Sequence, residues 1–177
     1  MKEAPKYKTL FGREEPLPLW AYLAAGTLLV AALLGFALLL RFDLQRSKPV
    51  DISAYEEPVP DTMVWQLTQG GSETLITLDG YALLQGEKII RMENAVVLYD
   101  TVQNDYLQLA TAMVRRNELN EQFGEGYNYS CSGLSAMVHT DELQKPYSRY
   151  EICVLYGANR HCILLHTGQS LAEEGVA

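Results

Sequence analysis

The sequence lacks every spacing motif that would indicate catalysis, a metal or a bound cofactor. There is no CxxC or HxxxH pair, no GxSxG elbow, no SxxK pair and no complete GxGxxG loop. Each of these spacings places ligands, a nucleophile or backbone amides where the chemistry requires them. His161 and Cys162 are adjacent, but neighbours in a strand point to opposite faces and do not share a metal. We therefore predict a non-enzymatic protein with no catalytic residue, no metal and no cofactor. The alternative is an enzyme with Cys131 as nucleophile and His139 or His166 as its base.

Basic residues are scarce in the C-terminal part of the chain. Of the 14 Lys and Arg and the 22 Asp and Glu, residues 1–49 hold seven and four, so seven basic and 18 acidic residues remain in 50–177. A segment with this excess of acidic side chains repels phosphate backbones. We expect it to bind no nucleic acid, and its acidity is typical of a soluble domain.

Cysteine is scarce as well, and all three cysteines lie in the C-terminal part. A domain of about 125 residues can bury a core without disulfides. If the last hairpin turns on Gly157 and Ala158, Cys153 lies opposite Cys162. That pair is close enough for a disulfide on the oxidising side of a membrane. The alternative is three buried thiols, including Cys131, that pack as small hydrophobes.

One long hydrophobic run dominates the N-terminal part. Leu19 to Leu40 is 22 residues without a charge, and a helix of that length spans roughly 33 Å against a hydrocarbon core of ~30 Å. Trp20 and Tyr22 suit an aromatic belt, and Arg41 closes the far end. A cleaved signal peptide has a shorter apolar region that ends in small residues. We predict an uncleaved transmembrane helix over 18–41, with the lipid bilayer of the cell membrane as one partner.

This helix divides the chain into unequal segments. They are an N-terminal tail 1–17, the helix 18–41, a juxtamembrane spacer 42–61, a domain 62–168 and a flexible tail 169–177. Three prolines in the spacer deny it regular hydrogen bonding. The basic residues on the two sides of the helix differ little, but a tail this short most naturally stays where it is made. We predict a signal-anchor with an extracytoplasmic domain, and the opposite orientation is the alternative.

Hairpin signals fill the first part of the domain. Apolar and polar residues alternate over 63–68, and a second β-rich run covers 74–78, so Gly70-Gly71 between them predicts a hairpin. Asp79-Gly80 indicates a further turn. The runs 81–84 and 88–92 then indicate another hairpin.

A helical period follows these strands. Leu98, Val102, Tyr106, Leu109 and Met113 are spaced 4, 4, 3 and 4 residues apart, which predicts one apolar face of a long helix.

The predicted helix has two candidate starts and one end. Asp100 with Gln103 resembles a capping box, and Asn94 is an earlier candidate cap. Gly124 and Gly126 are expected to end the helix.

Three strands complete the domain, over 129–139, 147–156 and 160–167. The last two form a hairpin with one apolar face, made by Tyr150, Ile152, Val154, Ile163 and Leu165.

The order of strands, one long helix and three strands predicts an α+β domain. In it a single long helix packs on an antiparallel sheet. Small sensor and adaptor folds, including PAS-like ones, share that order, which is an analogy of fold alone.

Tyrosine is abundant, with 11 in the chain. Five lie in or near the C-terminal strands, Tyr127 among them. The predicted contact anchors on an exposed strand face are Tyr129, Tyr147, Tyr150 and Tyr156. Ordinary strand composition is the simpler explanation of these tyrosines. We predict a membrane-anchored protein-interaction domain, an accessory component of an envelope or secretion assembly, that binds a protein partner.

The alternative hypothesis is a small-ligand sensor of PAS-like strand order that signals through a partner. It requires a concave apolar pocket beside the predicted helix, around Tyr106, Leu109 and Met113.

Overall fold

The computed structural model describes residues 19–124 and 126–172. The predicted tail 1–17 and the last five residues of the predicted tail 169–177 lie outside the described residues. Helix α1, Leu19–Gln45, is 27 residues long. Among the described residues it is the one helix long and apolar enough to cross a membrane. A signal sequence near an N-terminus can meet the same two criteria.

The chain beyond α1 forms two antiparallel sheets. The strands are β1 Lys48–Pro49, β2 Met63–Ser72, β3 Leu75–Leu84, β4 Ala95–Asp100, β5 Asp105–Gln108, β6 Ala110–Val114, β7 Gly133–His139, β8 Tyr150–Ala158 and β9 His161–Ser170. A short helix, α2 Glu118–Phe123, lies between β6 and β7. One long apolar helix and two antiparallel sheets make the chain α+β, as predicted at that level.

The strands form a five-stranded sheet in the order β1-β5-β4-β8-β9 and a four-stranded sheet in the order β2-β3-β7-β6. Without β1, these are the C′-C-F-G and A-B-E-D orders of an immunoglobulin-like sandwich. Leu109 is the single residue between β5 and β6, where the chain passes from one sheet to the other.

One apolar core lies between the two sheets. It takes buried side chains from the inner faces of both, such as Leu78 and Leu134 of the four-stranded sheet and Leu98 and Val154 of the five-stranded sheet. The predicted inner face of the last hairpin is confirmed, because all five of its residues belong to this core.

A strap formed by residues 50–57 covers the outer face of the five-stranded sheet. It follows β1, which pairs with β5, and it reaches β9, where Glu57 N–H donates to the Cys162 carbonyl. Val50, Ile52 and Tyr55 pack there against a second apolar cluster. This part of the predicted spacer is therefore in contact with the domain.

The predicted long helix over 98–113 is wrong, because these residues form β4, β5 and β6. β4 is buried on both faces, by the core and by the strap, so its apolar residues form a continuous run in which the strand alternation is hidden. Asp100 does bond backbone amides two and three residues on, but in a tight turn in which Asn104 has φ +56°. The predicted PAS-like order of elements is wrong as well, because it requires a long helix where the chain forms strands.

The first predicted hairpin is confirmed, but its turn lies at 73–74, not at Gly70-Gly71. Asp79 and Gly80 are inside β3. A Cβ on Gly80 would lie 1.9 Å from the Gln66 carbonyl oxygen, so this glycine permits close strand approach and marks no turn. The second predicted hairpin is wrong, since 88–92 belongs to the β3–β4 connection.

Candidate functional site

The four tyrosines predicted as an exposed interaction surface are buried, so that prediction is wrong. Their exposed fractions are between 0% and 8%. Tyr150 and Tyr156 belong to the inner face of β8. The Tyr150 hydroxyl accepts the Gln144 N–H at 3.0 Å, and the Tyr129 hydroxyl accepts the Gly86 N–H at 2.8 Å. Each ring is packed in the domain while its hydroxyl holds a loop, which is the usual role of a buried tyrosine.

The predicted disulfide between Cys153 and Cys162 is also wrong, because the hairpin turns at Asn159-Arg160. This register places Cys153 opposite His166 and Cys162 opposite Gly157. The two cysteines are then offset by four residues, about 13 Å along the strand direction. All three cysteines of the chain are free thiols.

The observed register instead brings together Glu151, Cys153 and His166, which we call the β8–β9 cluster. Glu151 and Cys153 are two residues apart on β8 and share a strand face. His166 Nδ1 lies 3.5 Å from Cys153 Sγ and 3.1 Å from Glu151 Oε2. The pairing shifts between Ile152 and Cys153, a bulge that lies at this cluster.

Two further contacts orient the β8–β9 cluster. The Tyr106 hydroxyl lies 3.3 Å from His166 Nε2, and its ring stacks on Tyr99 with centroids 4.8 Å apart. The Gly168 N–H donates to Glu151 Oε1 at 3.0 Å, which turns the other carboxylate oxygen toward the imidazole.

The β8–β9 cluster is not arranged as a nucleophilic triad. Thiol and carboxylate both contact Nδ1, whereas a triad needs the nucleophile and the orienting acid on different ring nitrogens. Burial, with a smaller contribution from the Glu151 carboxylate, raises the pKa of Cys153 to about 12. The free residue is therefore a neutral thiol at physiological pH and a poor nucleophile. The same three ligand atoms lie within 4.8 Å of one another and could hold a metal ion.

Sequence reasoning missed this cluster because it placed the hairpin turn two residues too early. The signal was Asn159, which has φ +56° in the structure. Asparagine is one of the few non-glycine residues that adopt this conformation readily. A turn centred on Asn159-Arg160 would have paired Cys153 with His166.

A second candidate site lies at one end of the sandwich, which we call the loop end. It consists of the β3–β4 connection 85–94, the described parts 115–124 and 126–132 of the β6–β7 connection and the β8–β9 turn 159–160, together with the adjoining strand ends. An open depression of about 250 Å³ lies here, lined by Ile89, Ile90, Met92, Met113, Asn128 and Cys131. Two of the lining side chains, Ile90 and Met113, are exposed apolar residues. Val114 and Tyr127 are exposed elsewhere in the loop end.

The loop that carries Ile90 is held in place by Asn159. The Asn159 side chain accepts the Ile90 N–H at 2.9 Å and donates to the Lys88 carbonyl at 2.9 Å. Its backbone N–H donates to the Arg91 carbonyl. The Ile90 side chain is nevertheless 83% exposed. An apolar side chain thus stands in solvent on a fixed backbone.

The three residues expected to line a sensor pocket are separated. Tyr106 packs on the outer face of the five-stranded sheet, Leu109 is in the core, and Met113 borders the depression at the loop end. They therefore do not enclose a common cavity.

His161, considered from the sequence as a metal ligand together with Cys162, contacts the carboxylates of Glu57 and Glu87.

Comparisons of the chain with protein-family models, with curated proteins and with solved structures find no match.

Proposed function

We propose that this protein is a membrane-anchored, non-enzymatic interaction module that binds a protein partner through the loop end. In this proposal α1 is the anchor, the domain is extracytoplasmic, and the protein is an accessory component of an envelope or secretion assembly. The observation that carries the proposal is the pair of exposed apolar side chains, Ile90 and Met113, at the depression of the loop end.

The character of the loop end favours a protein partner. A depression of about 250 Å³ that is open to solvent is smaller than the enclosed pockets of ~300–1,000 Å³ that bury small ligands. It is suited to one or two apolar side chains of a partner. The β3–β4 connection is already fixed by its hydrogen bonds to Asn159. Binding would therefore cost less conformational entropy there.

The topology adds an analogy. In variable immunoglobulin domains the B–C and F–G loops form one binding end of the sandwich. The connections 85–94 and 159–160 occupy these positions here. An analogy of fold does not identify the partner. The alternative sensor hypothesis has no comparable support, because the residues it needs do not form a pocket.

The test is a comparison of two charge substitutions at opposite ends of the domain. Ile90→Glu changes the loop end, and Val102→Glu is the matched control, because Val102 is 68% exposed in the β4–β5 turn. Tagged full-length protein is expressed in its native membranes, isolated in mild detergent and analysed by quantitative mass spectrometry. We expect a partner at constant stoichiometry with the wild type and with Val102→Glu.

Ile90→Glu should lower the recovery of that partner strongly, since a central contact residue contributes about 2 kcal/mol or more, roughly 30-fold in affinity. Both substitutions lie on the surface, so we expect both variants to unfold at the same urea concentration as the wild type. Equal midpoints would show that folding is intact. The proposal fails when no partner accompanies the wild type, or when both variants lose it equally.

A further inference from the structure

We propose that the β8–β9 cluster of Glu151, Cys153 and His166 is a binding site for a divalent transition metal of the zinc class. The proposal rests on the outer face of the five-stranded sheet and is independent of the loop end.

Two of the three ligand–ligand distances fit tetrahedral coordination. With Zn–S of about 2.3 Å and Zn–N and Zn–O of about 2.05 Å, a tetrahedral angle separates sulfur from nitrogen or oxygen by about 3.6 Å and nitrogen from oxygen by about 3.3 Å. The cluster has Cys153 Sγ at 3.5 Å and Glu151 Oε2 at 3.1 Å from the same nitrogen, His166 Nδ1. Cys153 Sγ and a Glu151 carboxylate oxygen lie within 4.8 Å of each other, and binding a metal requires that pair to approach about 3.6 Å.

The donor set selects the class of metal. A thiolate, an imidazole and a carboxylate are the ligands of zinc and related transition metals, whereas Ca²⁺ and Mg²⁺ prefer oxygen ligands alone. On coordination the Cys153 thiol gives its proton to solvent and a metal–sulfur bond forms. The three protein ligands leave the fourth position to water.

The surroundings of the cluster match those of a metal site. Ligating histidines donate their other ring N–H to a fixed acceptor, and ligating carboxylates are themselves hydrogen-bonded. Tyr106 provides that acceptor for His166 Nε2, and the Gly168 N–H holds Glu151 Oε1. All three ligands lie on paired strands, whose rigidity keeps the ligand atoms together.

Cobalt titration of the full-length protein in detergent tests the site. The variant Cys131→Ser/Cys162→Ser retains Cys153 as its one thiol, so a thiolate-to-cobalt charge-transfer band can arise from this residue alone. We expect Co²⁺ to produce that band and Zn²⁺ to abolish it by competition. Absence of the band, with the protein folded, would overturn the proposal.

Ligand substitutions complete the test in the same background. Cys153→Ser should remove the band. His166→Gln and Glu151→Gln, at more exposed positions, should weaken Co²⁺ binding by at least the roughly 10–100-fold that loss of a supporting partner costs. His139→Gln, on β7, is the matched control and should bind as tightly as its parent. Equal binding by His166→Gln and His139→Gln would contradict the assignment even where Cys153→Ser does not fold.

Discussion

Asp100 and Arg149 form an ion pair with two hydrogen bonds between the end of β4 and the segment before β8. The guanidinium donates to both carboxylate oxygens, at 2.9 and 2.6 Å, and the two side chains are 5% and 11% exposed. Burial alone would raise the pKa of Asp100. The Val102 N–H, the Arg149 guanidinium and the Gln103 N–H outweigh it, so the pKa lies below its ordinary value.

We predict that Asp100→Asn destabilises the domain by roughly 3–5 kcal/mol, because it leaves the Arg149 charge buried without its partner. Urea unfolding of the full-length protein measures the loss. Because the folded-state pKa is lowered, the contribution of Asp100 is fully present above the unfolded pKa of about 3.9 and is lost as the pH falls through the folded value. The gap between wild type and variant should therefore narrow in acid.

Asp105→Asn is the control for that substitution. Asp105 pairs with Asp100 across the same hairpin but is exposed. Its change should stay within about 0.5 kcal/mol. Equal losses in the two variants would show that Asp100 contributes no more than a surface carboxylate.

Single residues differ in how far the sequence determines their place. The inward face of β8 and β9, from Tyr150 to Leu165, was predictable since apolar residues alternate there with period two. The burial of Tyr129 and Tyr147 was not, because a tyrosine in or near a strand suits either face. The β8–β9 cluster could not be predicted for a different reason. Its three residues are brought together by a register, and a register depends on the turn.

Charged groups contribute to the attachment of the strap 50–57. His161 of β9 lies between two carboxylates, with Nδ1 3.0 Å from Glu57 of the strap and Nε2 3.2 Å from Glu87 of the β3–β4 connection. The hydrogen bond that the His161 imidazole donates to Glu57 raises the pKa of His161 against the opposing effect of burial, and the Glu87 charge adds to the increase. The protonated imidazole therefore links strap, hairpin and connection.

We predict that the strap is held more firmly at pH 6 than at pH 8. A raised folded-state pKa gives a contribution that is fully present below the unfolded value of about 6.5 and is lost as the pH rises through the folded value. Hydrogen exchange of residues 50–57, corrected for the intrinsic effect of pH, measures it. His161→Gln should remove the pH difference, and His139→Gln should retain it. A wild-type strap equally protected at both pH values would refute the link.

Elements with one exposed face were the easier ones to predict. The hairpin of β2 and β3 was recognisable from alternation, although its glycines serve close strand approach and not the turn. β4 is covered by the core on one face and by the strap on the other, so no polar residue marks its period. Because the alternation is not visible, the spacing of three and four residues between apolar side chains in 98–113 resembles that of a helix. Long-range cover by another segment is information that a local pattern does not contain.

At the scale of the whole molecule, the chain combines an apolar helix with a sandwich whose three thiols differ in accessibility. Cys131 is exposed at the loop end, Cys162 is half-buried beside the strap, and Cys153 is buried. We therefore expect Cys131 to react first with a thiol reagent. Its labelling can be used to determine on which side of the membrane the domain lies.

We predict that a membrane-impermeant maleimide added to intact cells labels this protein at Cys131. Cys131→Ser should remove most of the label, because the remaining thiols are shielded. The variant Cys153→Ser/Cys162→Ser is the matched control and should be labelled like the wild type. An N-terminal epitope tag detected on the same labelled band would show that α1 stays attached as an anchor, whereas its loss would identify α1 as a cleaved signal sequence. Labelling that requires permeabilised cells would place the domain in the cytoplasm and reverse the proposed orientation.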